Sequence, residues 1–177
     1  MMSALDELIE RLNRGELFCK ATDIARLMNT DVACIRGMAI HDRDKLPFAS
    51  FAIGKNIKFS IPSVLREMGE NDNMTPAELC TMFSNVLSKG VHCTPVDIAK
   101  IFGSDPNTIR RSLRKDPELF GCKAIVSGKR IKVPTIPLIR SLTGASTENI
   151  KAAIAAYFCC FCFSASIFFF SSSICRS

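Results

Sequence analysis

Asp23-Ile24-Ala25-Arg26-Leu27 is followed by Asn29 and then by Ile35-Arg36, and 74 residues later the pattern returns as Asp97-Ile98-Ala99-Lys100-Ile101, Gly103 and Ile109-Arg110. Without a gap, the same offset lays Leu5 on Leu79, Cys19 on Cys93, Asp31 on Asp105, Gly54-Lys55 on Gly128-Lys129, Ile57-Lys58 on Ile131-Lys132 and Arg66 on Arg140. One register held across so long a stretch marks an internal repeat, which sets the architecture before any single element is read. Two units are expected, residues 1–70 and 74–145. The polar, turn-rich residues 70–73 serve as linker.

Each unit reads as three helices, a hairpin and a short closing helix. Leu5, Leu8, Ile9 and Leu12 recur at helical spacing and predict a first helix over residues 4–13. Its counterpart opens on Thr75-Pro76-Ala77-Glu78, a capping box with Pro in the first turn. Second helices follow over residues 22–28 and 96–102, and third helices over 31–40 and 106–114. Two strands then meet at Gly54-Lys55-Asn56 or at Gly128-Lys129-Arg130, and closing helices span 63–68 and about 137–142. Between the second and third helices the spacing suits a tight crossing. Ala25 and Ala99 let the backbones approach, Asn29 and Gly103 accept a left-handed turn, and Ile35 and Ile109 plug the interface. Asp31 and Asp105, or Thr30 and Ser104 beside them, can cap the third helix. The fold class is mainly α with small β-hairpin wings.

Charge divides the units. The whole chain carries 23 Lys and Arg against 17 Asp and Glu. Residues 1–72 hold 10 basic and 11 acidic side chains, whereas residues 73–150 hold 11 and 6, so the second unit is far better suited to phosphate. Five cysteines outside the tail (Cys19, Cys34, Cys80, Cys93 and Cys122) lack paired spacing, and no N-terminal signal peptide is read, so a reducing cytoplasm is expected. Cys159 and Cys162 have ligand spacing but no second Cys/His pair, and a structural zinc site needs four ligands. No metal or other cofactor is expected. His41 and His92 are the only histidines, no paired carboxylates emerge, and Gly54-Lys55 and Gly128-Lys129 lack the rest of a phosphate loop. An enzyme is not expected.

Residues 23–27 through Ile35-Arg36, then Lys45-Leu46-Pro47-Phe48, residues 53–59 and Pro62-Ser63-Val64-Leu65 resemble the winged helix-turn-helix of the MerR-like and excisionase-type DNA-binding family. The second unit keeps residues 97–111 and 128–133 of this pattern and lacks the Leu-Pro of the loop. The resemblance implies two tandem winged helix-turn-helix domains. In each, the third helix would enter the major groove of double-stranded DNA and the hairpin would lie on the flanking backbone or minor groove. The long dimerisation helix and effector domain of MerR regulators are absent, which sets aside metal or drug sensing. If the two heads sit on one face, half-sites about 10 bp apart would suit them.

Helix geometry then names the contacts. With Ile109 and Leu113 turned inward, Asn107, Thr108, Arg110, Arg111 and Arg114 point toward the duplex. Asn suits an adenine edge and Arg a guanine edge. Lys115 suits a phosphate, and the wing adds Lys129, Arg130 and Lys132. The first unit offers Val32, Ala33 and Arg36 on its third helix and Lys55, Asn56 and Lys58 on its wing, a poorer set expected to bind weakly. The function implied is that of a transcription regulator or excisionase-like architectural protein of phage or mobile-element type, associated with the nucleoid. The alternative is an adaptor whose near-neutral first unit recruits a partner such as a recombinase, polymerase or packaging protein.

Residues 152–175 are uncharged and rich in Phe, Cys, Ser and Ile. Their length would let a helix cross a bilayer. Three readings stand: a membrane anchor that tethers the protein, a helix packed on the body or on a second copy, and the product of translating T-rich DNA out of frame.

Overall fold

A computed structural model describes residues 3–69 and 74–171, with side chains as far as Cys159 except that of Asp44. The first unit begins with α1 (Ala4–Asn13), where the Ser3 hydroxyl accepts from the Asp6 N–H at 3.1 Å and the Ser3 N–H donates to the Asp6 carboxylate at 2.9 Å. That reciprocal pair satisfies two helix-end donors. Next come β1 (Phe18–Cys19), α2 (Ala21–Leu27), α3 (Val32–His41), a single 3₁₀ turn at Arg43–Lys45, β2 (Ser50–Ile53), β3 (Asn56–Ser60) and α4 (Ile61–Glu67). The second unit repeats the order as α5 (Pro76–Leu87), β4 (His92–Cys93), α6 (Pro95–Phe102), α7 (Pro106–Lys115), β5 (Ile125–Ser127), β6 (Arg130–Pro134) and α8 (Thr135–Thr143). A last helix, α9 (Thr147–Ser171), follows. The chain is thus mainly helical with two small antiparallel sheets.

Each sheet has a third strand that the sequence did not reveal. The strand orders are β1-β3-β2 and β4-β6-β5. Cys19 pairs with Phe59 and Cys93 with Val133, the same register one repeat apart. Strands of two residues are too short to show alternation, so only the aligned, buried cysteines hinted at them. The closing helices also start earlier than expected, at Ile61 and Thr135 rather than at 63 and 137. Pro62 and Pro137 mark no boundary, because the first turn of a helix has no N–H partner to lose.

The two units share a core. Leu8, Ile24, Ile35, Phe48, Phe59 and Val64 fill the first. The second gathers Leu79, Phe83, Ile98, Phe102, Ile109, Leu113 and Leu138, and it also takes in Phe51 and Ile53 of the first unit's hairpin, each 2% exposed. Phe18 stacks on Phe102 at 4.4 Å, and Phe51 lies 5.5 Å from Phe102 and 5.9 Å from Phe120. Such ring pairs contribute about 0.5–1.5 kcal/mol each beyond the area they bury. Polar contacts reinforce the seam: the Ser60 hydroxyl donates to the Leu142 carbonyl, and Arg43 pairs with Asp116 at 3.5 Å.

The apolar tail is continuous with the body. α9 starts at Thr147, ahead of residue 152, and places Ile150 and Ala153 in the second core. The Cys80 thiol donates to the Ala153 carbonyl at 3.0 Å, and the Asn149 amide donates to the Met74 carbonyl at 3.1 Å. Among the described residues no helix is long and apolar enough to cross a membrane, so the anchor reading gains no support there. Residues 172–175 of the run, and the 70–73 linker, lie outside the described residues.

Candidate nucleic-acid interface

The helix α7 is held in one rotational setting. Asp105 caps it by accepting the Thr108 N–H at 2.9 Å, Pro106 suits its first turn, and Ile109 and Leu113 are wholly buried. With those two inside, Asn107, Arg111, Arg114 and Lys115 are exposed and Arg110 is half-exposed. Arg114 and Lys115 also sit at the C-terminal end of the helix dipole, where cations are favoured. Arg110 donates to the Asn107 side-chain oxygen at 2.9 Å, which orders both groups. Thr108 has a different setting. It is half-buried, its hydroxyl reaches the capping carboxylate at 3.4 Å, and its methyl group lies against the turn of the first unit's hairpin at Gly54.

The second hairpin presents its cations outward by simple alternation. Ile131 and Val133 are buried, so Arg130 and Lys132 face solvent. Gly128 adopts φ 56° at the start of the two-residue turn, a conformation that would strain any side chain, and this leaves Lys129 at the tip.

Arg36, Lys55, Asn56 and Lys58 come together in the first unit, lining an open groove of about 490 Å³ with Ile40 and Lys20. Lys20, which precedes α2, went unnoticed in the sequence because no periodic feature marks it. Shifted by 74, the lining positions become Arg110, Lys129, Arg130, Lys132, Arg114 and Thr94, five cations where the first unit has four. Arg111 and Lys115 belong elsewhere. They line a second groove, of about 500 Å³, shared with Arg43, Ala52 and Gly54 of the first unit. Arg43, a loop cation read as offset by Asp42 and Asp44, was not expected here, since only the packing of the two units brings it to this groove. Of the remaining first-unit residues, Val32 packs on its own core, and Ala33 is exposed with its N–H given to the Asp31 cap at 2.8 Å.

The two units differ sharply in how their cations are engaged. Arg11, Arg14, Arg26, Arg43, Lys45 and Arg66 are all ion-paired, while Lys20, Arg36 and Lys55 of the groove pair with no carboxylate among the described residues. Lys58 donates to the Phe102 carbonyl and lies 5.6 Å above the Phe18 ring, and burial lowers its pKa. In contrast, none of Arg110, Arg111, Arg114, Lys115, Lys129, Arg130 and Lys132 pairs with a carboxylate among the described residues. No three His, Cys, Asp or Glu side chains converge among the described residues in a way that could hold a metal ion. The chain matches no protein-family model, no curated protein and no solved structure, so the site rests on its own geometry.

Proposed function

We propose that the chain binds double-stranded DNA mainly through its second unit, each unit having the winged helix-turn-helix form. The helix α7 would enter the major groove, and the β5–β6 hairpin would follow the adjacent backbone or minor groove. One observation carries this reading: among the described residues, seven cations on one well-capped helix and one hairpin have no carboxylate partner. Surface cations that no carboxylate engages are available to phosphates. Arg110 with Asn107, and Arg114 on the same side of the helix, are the residues assigned to base edges. Lys115, Lys129, Arg130 and Lys132 are assigned to phosphates. Thr108 is assigned to the helix cap and Lys58 to the seam between units. The role fits a transcription regulator or an excisionase-like architectural protein. One head is proposed to dominate, because Phe51 and Ile53 of the first unit's hairpin are buried against the second unit.

The test is a salt titration of binding to a pool of random duplexes, followed by fluorescence anisotropy. If about five phosphates are contacted, log affinity falls against log salt with a slope of about −4 to −5. Absence of binding at low ionic strength would overturn the proposal. A second reading, the adaptor, draws on the ion-paired surface of the first unit, where Arg26–Glu7 and Arg11–Glu16 neutralise each other. Recruitment of a recombinase, polymerase or packaging protein by a chain stripped of nucleic acid would favour it.

A further inference from the structure

The 74-residue register applies to an interface as well as to a fold. Within the chain, the face of the first hairpin that carries Phe51 is covered by the second unit, with Leu17 beside it. One step along, Phe51 becomes Ile125, 53% exposed, and Leu17 becomes Val91, 75% exposed and the most exposed large apolar side chain among the described residues. The receiving surface shows the same change. Phe102, at the end of α6, is fully buried under the hairpin, whereas its counterpart Met28, at the end of α2, is 41% exposed.

The polar contacts of the seam also have counterparts in place. Lys58 donates to the Phe102 carbonyl. Lys132, on the same face of its hairpin as Ile125, is exposed, and in a docked copy it would donate to the Met28 carbonyl in place of a phosphate. The Gly54 turn sits against Thr108, and the corresponding pair is the Gly128 turn and the exposed Cys34. Two contacts do not carry over: Arg43 and Asp116 become Pro117 and Asp42, and Ser60, which donates to the Leu142 carbonyl, becomes Pro134, which has no donor. The external contact therefore lacks an ion pair that the internal one has.

We propose that the chain associates head to tail with a second copy of itself, the β5–β6 hairpin of one copy docking on α2 and α3 of the next as β2–β3 docks on α6 and α7 within the chain. Such an interface joins two different surfaces, so every open assembly keeps one free hairpin at one end and one free receiving surface at the other, and growth continues until a ring closes or a filament forms. The missing ion pair makes each step reversible and concentration-dependent. The inference does not rest on DNA binding, and it is tested without nucleic acid.

The experiment is sedimentation velocity on the full chain over a wide range of concentration. The wild type shifts to larger species as concentration rises. Ile125→Asp removes the donor surface and Met28→Lys the receiving one, and each alone holds the chain as a monomer. Both side chains are exposed, so circular dichroism of the variants matches the wild type. Mixed, the two variants form a dimer and nothing larger, since one retained hairpin meets one retained receiving surface. As a second readout, Ser127→Cys yields a copy-to-copy disulfide under mild oxidation that Cys34→Ser abolishes. A monomeric wild type, variants that associate like the wild type, or a mixture that stays monomeric would each overturn the proposal.

Discussion

The β2–β3 and β5–β6 hairpins share a register, a glycine at the turn and a cation near each tip, yet one is interior and the other is surface. Phe51 and Ile53 bring the first hairpin into the second unit's core, while Ile125 and Ser127 at the matching positions stay in water. The backbone is the same in both, so side-chain bulk at two positions, together with what lies across from them, decides whether a hairpin becomes a wing or a strut. The fate of the cations follows. Lys58 is drawn over the Phe18 ring and onto a carbonyl, and Lys132 remains open.

The sharpest way to break this comparison is to shorten the two side chains. Phe51→Ala should cost about 3–5 kcal/mol in urea unfolding, as for a large ring removed from a packed core. Ile125→Ala should stay within about 0.5 kcal/mol, as for an exposed surface site. Equal losses would mean that the hairpins are not as different as described. For DNA affinity, Arg110→Ala and Arg114→Ala should each cost about 1–3 kcal/mol, and Arg110→Ala with Arg111→Ala should cost more than Arg36→Ala. A larger loss from Arg36→Ala in anisotropy would reverse the ranking of the units.

A smaller effect separates the two helix starts at Asp23 and Asp97. Burial pushes the Asp23 carboxyl up, but the Lys20 N–H and the Arg11 guanidinium at 2.9 Å outweigh this and hold its pKa below the ordinary value. In the second unit Asn85 stands where Arg11 would be, and Asp97 is held by Thr94 instead. A lowered carboxylate pKa stabilises the fold above the unfolded value and ceases to do so as pH falls through the folded one. Asp23→Asn should therefore cost about 1.5–3 kcal/mol at neutral pH. The gap to wild type should close below pH of about 4. A gap that persists into acid would remove the ion pair from the account.

Much of this organisation was legible in the residues. The repeat gave the unit order, Leu5 to Leu12 gave the first helix to the residue, and Asp105 with Pro106 gave the start of α7. Local periodicity reports which face of an element is buried, and it is silent about which core receives that face. Phe51 reads as a residue of its own unit for that reason, and Lys58 as a surface cation. Lys20 escaped notice, and Arg43 read only as a loop cation offset by Asp42 and Asp44, because grooves are assembled from segments that no window spans. The start of α9 was misplaced because the charged turn at residues 147–151 and the apolar run after it look like different elements, although Ile150 and Ala153 lie on one buried stripe.

The paired cysteines of the two sheets have a practical consequence. Cys19 donates to the Phe59 carbonyl and Cys93 to the Val133 carbonyl, and burial pushes both thiols up to about 12. At neutral pH both sulfurs stay protonated, shielded from alkylating reagents until their strands part, while exposed Cys34 is open to attack at once. The molecule thus contains one latent chemical probe per sheet. The order in which the two thiols become modified during slow denaturation would time the opening of each half separately.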